Sequence, residues 1–238
     1  MAPGILEKRK EDEAKVNFPL RELVGSLLYL AKGTRPDIAY PVGVLSRYVN
    51  DVGPTHVAAA KRILRYIAGT KNMGITYSPD ANPLLEVYSD ASYAEVGDRK
   101  STSGNIYFLN GGPIDWFSKK QTTVSLSTTE AEYVALAVAA ADCLYYRQFL
   151  LELGFNQEAP TIVHEDNQSV IDIVKEGKES PRLRHLDVKY RFTHEKIVNK
   201  EIDLVYCPSK NMIADMLTKA LNPQQHAHIL ELSNFAFT

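Results

Sequence analysis

The stretch that decides the fold is Ser127–Leu136, "STTEAEYVAL", at the head of an alanine-rich run to about residue 152. It predicts a helix over 128–152 that stops at Gly154. On a helical wheel, Glu132 shares a stripe with Leu136, Ala139, Cys143 and Leu150, the apolar side that buries against a sheet. Glu130 falls on a polar side near Gln148 and Glu152. Ser127 stands three residues before Glu130, the spacing of a capping box in which serine and glutamate each satisfy an orphan amide. Glu130 thus has a structural task. Glu132 has none: it either reaches solvent at the helix end or meets a cation or donors, because an unpaired buried carboxylate is costly.

Around this helix the pattern alternates. Strands are predicted over 84–90 ("LLEVYSD"), 104–109 ("GNIYFL"), 114–120 ("IDWFSKK"), 161–166 ("TIVHED") and 202–207 ("IDLVYC"), with an "NGG" turn at 110–112. Helices are predicted from the fourth strand to about Lys175, over 184–199 and over 211–221. Together these describe an α/β layer with a five-stranded mixed sheet flanked by helices. Before a boundary near residue 80 the chain reads as a small helical subdomain. Its helices span 19–31, 36–49 with Pro41 as a kink point, and 54–68 capped by Thr55 and stopped by Gly69. Residues 1–17 are a charged lead-in.

The chain has 238 residues, 45% hydrophobic and 24% charged, which suits one or two folded domains. With 27 basic and 29 acidic residues the net charge is −2, so any nucleic-acid surface must be local. The basic residues of 54–71, Lys61, Arg62, Arg65 and Lys71, are one such place. Cys143 and Cys207 sit in apolar surroundings and read as reduced intracellular thiols, with a disulfide as the alternative. No signal peptide is evident, and no continuous apolar run reaches the ~18 residues of a membrane span.

Other acids join Glu132. Asp90 and Asp166 each end a strand, and neighbouring strands can set terminal carboxylates side by side. Taken singly, Asp90 is a turn former, Asp166 is a helix cap shared with Asn167, and Asp215 is a first-turn aspartate or a partner of Lys219 at i+4. Four carboxylates together would raise one another's pKa or demand cations, and oxygen-only ligands select hard ions such as Mg²⁺ or Mn²⁺.

The words "DRKSTSGNIYFLNGGPIDWFSKKQ" (98–121), "STTEAEYVAL", "HEDNQSVI" (164–171), "RHLDVKYRF" (184–192) and "PSKNMIADMLTKAL" (208–221) resemble the ribonuclease H domain of copia-type (Pseudoviridae) retrotransposon polyproteins. Upstream, 23–49 and 56–77 resemble the end of that family's reverse transcriptase, its thumb and connection. The resemblance implies a ribonuclease H-like fold at 81–222, a thumb/connection-like segment at 18–80 and a tail at 223–238. It implies a two-metal nuclease for the RNA strand of RNA/DNA hybrids during reverse transcription, using two Mg²⁺, or Mn²⁺. Asp90, Glu132, Asp166 and Asp215 are its metal ligands and catalytic residues. The partners implied are the hybrid and the remainder of a reverse transcriptase, with no membrane and no small-molecule cofactor. Candidate hybrid contacts are Lys61, Arg62, Arg65, Arg99, Lys100, Ser101, Lys119, Lys120, Arg184, His185 and Lys189. The chain departs from many ribonucleases H in lacking a histidine before the last helix, where Lys210 is the basic residue, and it contains no Y-x-D-D for polymerisation. A non-catalytic module derived from a retrotransposon, and a transposase or integrase on the same fold, are the competing readings.

Overall fold

A computed structural model describes residues 6–94, 99–177 and 187–237. The sheet is built from β2 (Glu86–Ser92), β3 (Thr102–Leu109), β4 (Gly112–Lys120), β5 (Thr161–Glu165) and β6 (Ile202–Tyr206). Its order is β4-β3-β2-β5-β6. β2, β3 and β4 form an antiparallel meander turned at Asn110 and Gly111, both with positive φ. β5 and β6 run parallel to β2. This mixed sheet, flanked by helices, is ribonuclease H-like.

The helix α4 (Thr128–Glu152) has the bounds read from sequence. Its stripe of Tyr133, Leu136, Ala139, Ala140 and Cys143 buries against Val87, Tyr107, Val163 and Leu204 of the sheet. By length and composition α4 could cross a membrane, a test that the core helix of a globular domain also passes. The opposite face carries Ile106, Phe108 and Trp116 under Met212, Ile213, Leu217, Ile229 and Phe235. On the α4 side, α5 (Gln168–Glu176) and α6 (Asp187–Val198) add Val170, Ile171 and Ile197 to the core.

A third core lies in α1 (Leu20–Gly33), α2 (Ala39–Ser46) and α3 (Pro54–Gly69). Pro41 stands in the first turn of α2, where its missing N–H costs nothing. Thr55 is not the cap of α3. Gly53 takes that place, its amide donating to His56 Nδ1 at 2.9 Å while His56 Nε2 donates to the Glu7 carbonyl at 2.8 Å. These helices dock on the meander: Trp116 Nε1 donates to the Ala31 carbonyl at 2.7 Å, and Lys32 pairs with Asp115.

Two predicted regions differ. The helix expected over 211–221 is a 3-10 turn at Ser209–Asn211 followed by a single-turn helix, α7 (Asp215–Thr218). Met212, Ile213 and Ala214 between them are buried, and packing bends the backbone there. Residues 223–237 hold α8 (Pro223–Leu232), capped by Asn222, and β7 (Phe235–Phe237), which pairs antiparallel with β1 (Met73–Ile75).

Candidate active site

The carboxylates gather at one end of the sheet. Asp90 lies inside β2, not in a turn, and is 1% exposed. It faces Gly104 of β3. A β-carbon on Gly104 would stand 2.6 Å from Leu217 Cβ and 2.7 Å from Thr218 Cγ2. Glycine there lets α7 press onto the sheet, so that Thr218 donates its hydroxyl to Asp90 Oδ2 and Asp215 comes alongside. Asp166 follows β5, and its Oδ2 accepts from Ser209 Oγ at 2.7 Å. Asn167, not Asp166, caps α5: its Oδ1 accepts from the Val170 amide at 3.3 Å. Glu132 is 7% exposed, so it does not reach solvent at the helix end. Ligand oxygens of Asp90, Glu132 and Asp166 lie within 4.8 Å of one another.

Glu130 departs from its expected polar side. It is 4% exposed. Ser127 Oγ accepts from the Glu130 amide at 3.1 Å, and Glu130 Oε2 accepts from the Leu126 amide at 2.8 Å rather than from that of Ser127. The cap is real and shifted by one residue.

The sequence reading missed a fifth carboxylate, Glu165. It is fully buried, and its Oε1 accepts from the Asn167 amide at 3.1 Å. Strand alternation could have found it, since 161, 163 and 165 share the buried face of β5. Glu132 Oε2 and Glu165 Oε2 are both buried without a hydrogen-bond partner.

The acids hold one another's protons. Burial pushes Asp90 up, opposed by Lys219 and the Thr218 hydroxyl and reinforced by Asp166. Burial, then Asp90, Glu165 and Asp166, push Glu132 well above the usual carboxylate range. Burial likewise raises Glu165, against the Asn167 amide. Burial and Asp90 push Asp215 up to about 7, although Lys219 Nζ stands 2.6 Å from its Oδ1. An all-oxygen donor set with two orphaned buried oxygens fits a hard divalent cation.

Of the other candidates, Lys61, Arg62, Arg65, Arg99, Lys119 and Lys189 are exposed, and Lys100 and Lys120 are half-buried. Arg184 and His185 lie outside the described residues. Ser101 does not suit a hybrid contact: it is fully buried, and its hydroxyl accepts from the Ala94 amide at 3.2 Å, clasping its own loop. His164 stacks on Tyr88 at 4.2 Å and pairs with Glu86, and His194 bonds the Val174 carbonyl; both are structural. Both cysteines are free and buried.

No protein-family model matches the chain. It is 39% identical over 222 residues, 93% of its length, to the retrovirus-related Pol polyprotein from transposon TNT 1-94 of Nicotiana tabacum. To the corresponding polyprotein from transposon RE1 of Arabidopsis thaliana it is 37% identical over 203 residues, 85% of its length. It spans 16% and 14% of those two relatives. A secreted RxLR effector protein 161 of Plasmopara viticola is 46% identical over 130 residues, 54% of this chain and 92% of that protein. Among solved structures, LC11-RNase H1, isolated from compost, is similar at a TM-score of 0.45 and 19% identity, over 58% of this chain and 94% of that one.

Proposed function

The chain belongs to the copia-type retrovirus-related Pol polyproteins, in their reverse transcriptase–ribonuclease H region, and from that membership we propose that it cuts the RNA strand of RNA/DNA hybrids in a cation-dependent reaction. One observation carries the reading: three carboxylates converge within 4.8 Å, and one of them, Glu132, keeps a buried oxygen with no partner.

Residues 81–222 form the nuclease domain in this reading, and 18–80 the thumb/connection-like segment. Asp90, Glu132, Asp166 and Asp215 would hold two divalent ions, Mg²⁺ or Mn²⁺. Such ions supply the Lewis acidity that activates a water and stabilises the leaving 3′ oxygen. Asp90, beside both Glu132 and Asp215, would contribute to holding either ion. Thr218 orients Asp90, Ser209 fixes Asp166, and the Ala91 amide directs Glu132. Glu132 would also contact the ribose 2′-hydroxyl, the group that separates RNA from DNA. Lys61, Arg62 and Arg65 on α3, with Arg99, Lys119 and Lys189, neutralise phosphates, so hybrid affinity falls as salt rises. The remainder of a reverse transcriptase is the protein partner.

The test is a hybrid-cleavage assay on the chain and on Asp90→Asn, each with and without Mg²⁺. Cleavage by the parent chain with Mg²⁺ alone is expected. A folded parent chain that leaves the RNA strand intact with Mg²⁺ overturns the reading and favours a non-catalytic nucleic-acid-binding module.

A further inference from the structure

The four ligand candidates are not equivalent. Asp90, Glu132 and Asp166 turn their oxygens to one point. Asp215 is engaged elsewhere, by the Lys219 ammonium at 2.6 Å. An i,i+4 pair of this kind is common on helix surfaces, where it adds little. This pair is different. Its helix is a single turn, its aspartate is 4% exposed, and the ammonium also feels Asp90 and Asp166. The last two residues of "DMLTK" thus serve two carboxylates: Thr218 reaches Asp90 and Lys219 reaches Asp215.

We propose that Lys219 is a built-in countercation standing in for one divalent ion, so that the cluster takes one such ion readily and a second only when the ammonium leaves Asp215. The inference rests on the cation-dependent reading above. The converging trio, with the orphaned Glu132 oxygen, is the first cation position. The second would use Asp215 and Asp90, and there an ammonium already supplies positive charge. Lysine suits the exchange. It is a point charge on a flexible stem, and its side chain here is 42% exposed, so it can swing into solvent without opening the fold. A hybrid phosphate beside the cluster gives the displaced ammonium a new anionic partner. That couples filling of the second position to the arrival of substrate.

The experiment counts ions. Mn²⁺ binding to the full chain, free of nucleic acid, is followed by electron paramagnetic resonance and by calorimetry, for the parent, Lys219→Met and Lys219→Arg. Thermal melts certify that each is folded. The parent should bind one Mn²⁺ tightly and a second at least about tenfold more weakly. Lys219→Met should bring the second affinity up by about tenfold or more, and Lys219→Arg should resemble the parent. Two equal sites in the parent, or a second site unmoved in folded Lys219→Met, overturns the countercation while leaving the nuclease reading intact. Failure of the parent to bind any Mn²⁺ overturns both.

Discussion

Two buried charged clusters in this chain obey opposite rules. In the helical segment, Arg35 and Asp37 are 6% and 2% exposed. Arg35 Nε and Nη2 donate to the two Asp37 oxygens at 2.9 and 2.7 Å, and the Tyr66 hydroxyl donates to Oδ2 at 2.7 Å. Arg35 also bonds Thr70 and lies over the rings of Tyr66 and Phe235. Each charge there has a matched partner. At the sheet's end, Asp90, Glu132, Glu165, Asp166 and Asp215 share one ammonium among the described residues, and two oxygens have nothing. The first arrangement specifies a fold. The second is electrostatically incomplete, and incompleteness of this kind marks a place for a ligand.

Substitution at the two aspartates separates them most. Asp90→Asn should lower hybrid cleavage at least about a thousandfold, while the metal-free melting temperature holds or rises because a repulsive charge has gone. Asp37→Asn should lower stability by about 3–5 kcal/mol, the range for breaking a buried pair, and leave the folded fraction cutting at the parent rate. If both variants behave alike in both assays, the distinction collapses.

A pH titration sharpens the contrast. Asp215, raised to about 7 in the fold, titrates near its ordinary 3.8 when unfolded. Its contribution is therefore largest when protonated and is lost as the pH rises through about 7. Metal-free protein should melt lower at pH 8 than at pH 5, by up to about 1.4 kcal/mol per pH unit across the window, or roughly 2–4 °C per kcal/mol. Mg²⁺ should remove most of the fall, and Asp215→Asn should make the metal-free curve shallower near pH 7, with Asp90, Glu132 and Glu165 supplying the remaining slope. A parent curve already flat without metal contradicts the frustration described here.

Ser209→Ala removes only the donor to Asp166. It should raise the Mg²⁺ concentration needed for half-maximal cleavage by about tenfold, with activity recovered at high Mg²⁺; an unchanged Mg²⁺ titration would show that Asp166 is oriented without it. The smallest effects belong to Glu130. Glu130→Gln keeps an acceptor for the Leu126 amide and should keep activity, and Glu130→Ala should cost about 0.5–1 kcal/mol by thermal melt with turnover unchanged. Glu132→Gln, two residues on, should lose most cleavage without losing stability. An inactive Glu130→Gln would mean that the active glutamate is the wrong one of the two.

The helix periodicity of "STTEAEYVALAVAA" and the strand alternation around it made the sheet and α4 legible, because both are half-buried elements with clean periods. The same wheel put Glu132 on the buried stripe but misplaced Glu130, which is buried as well. Glu165 escaped because its neighbour Asp166 carried the family resemblance, although alternation aims Glu165 inward. The 211–221 helix was misread because Met212 to Thr218 are all buried, a run with no helical period to fix where the helix begins. α8 carried a readable signal, Asn222-Pro223 before Ile229 and Leu230. β1 and β7 did not: three-residue strands have no period to read.

That small sheet sets a schedule for synthesis. β1 leaves the ribosome about 160 residues ahead of its partner β7. At ~5–20 residues per second the wait is roughly 8–30 s. During that time the edge of β1 is open, and the Arg35 guanidinium lacks the Phe235 ring that will cover it. The helical segment, made ahead of the sheet, is thus completed only once β7 arrives.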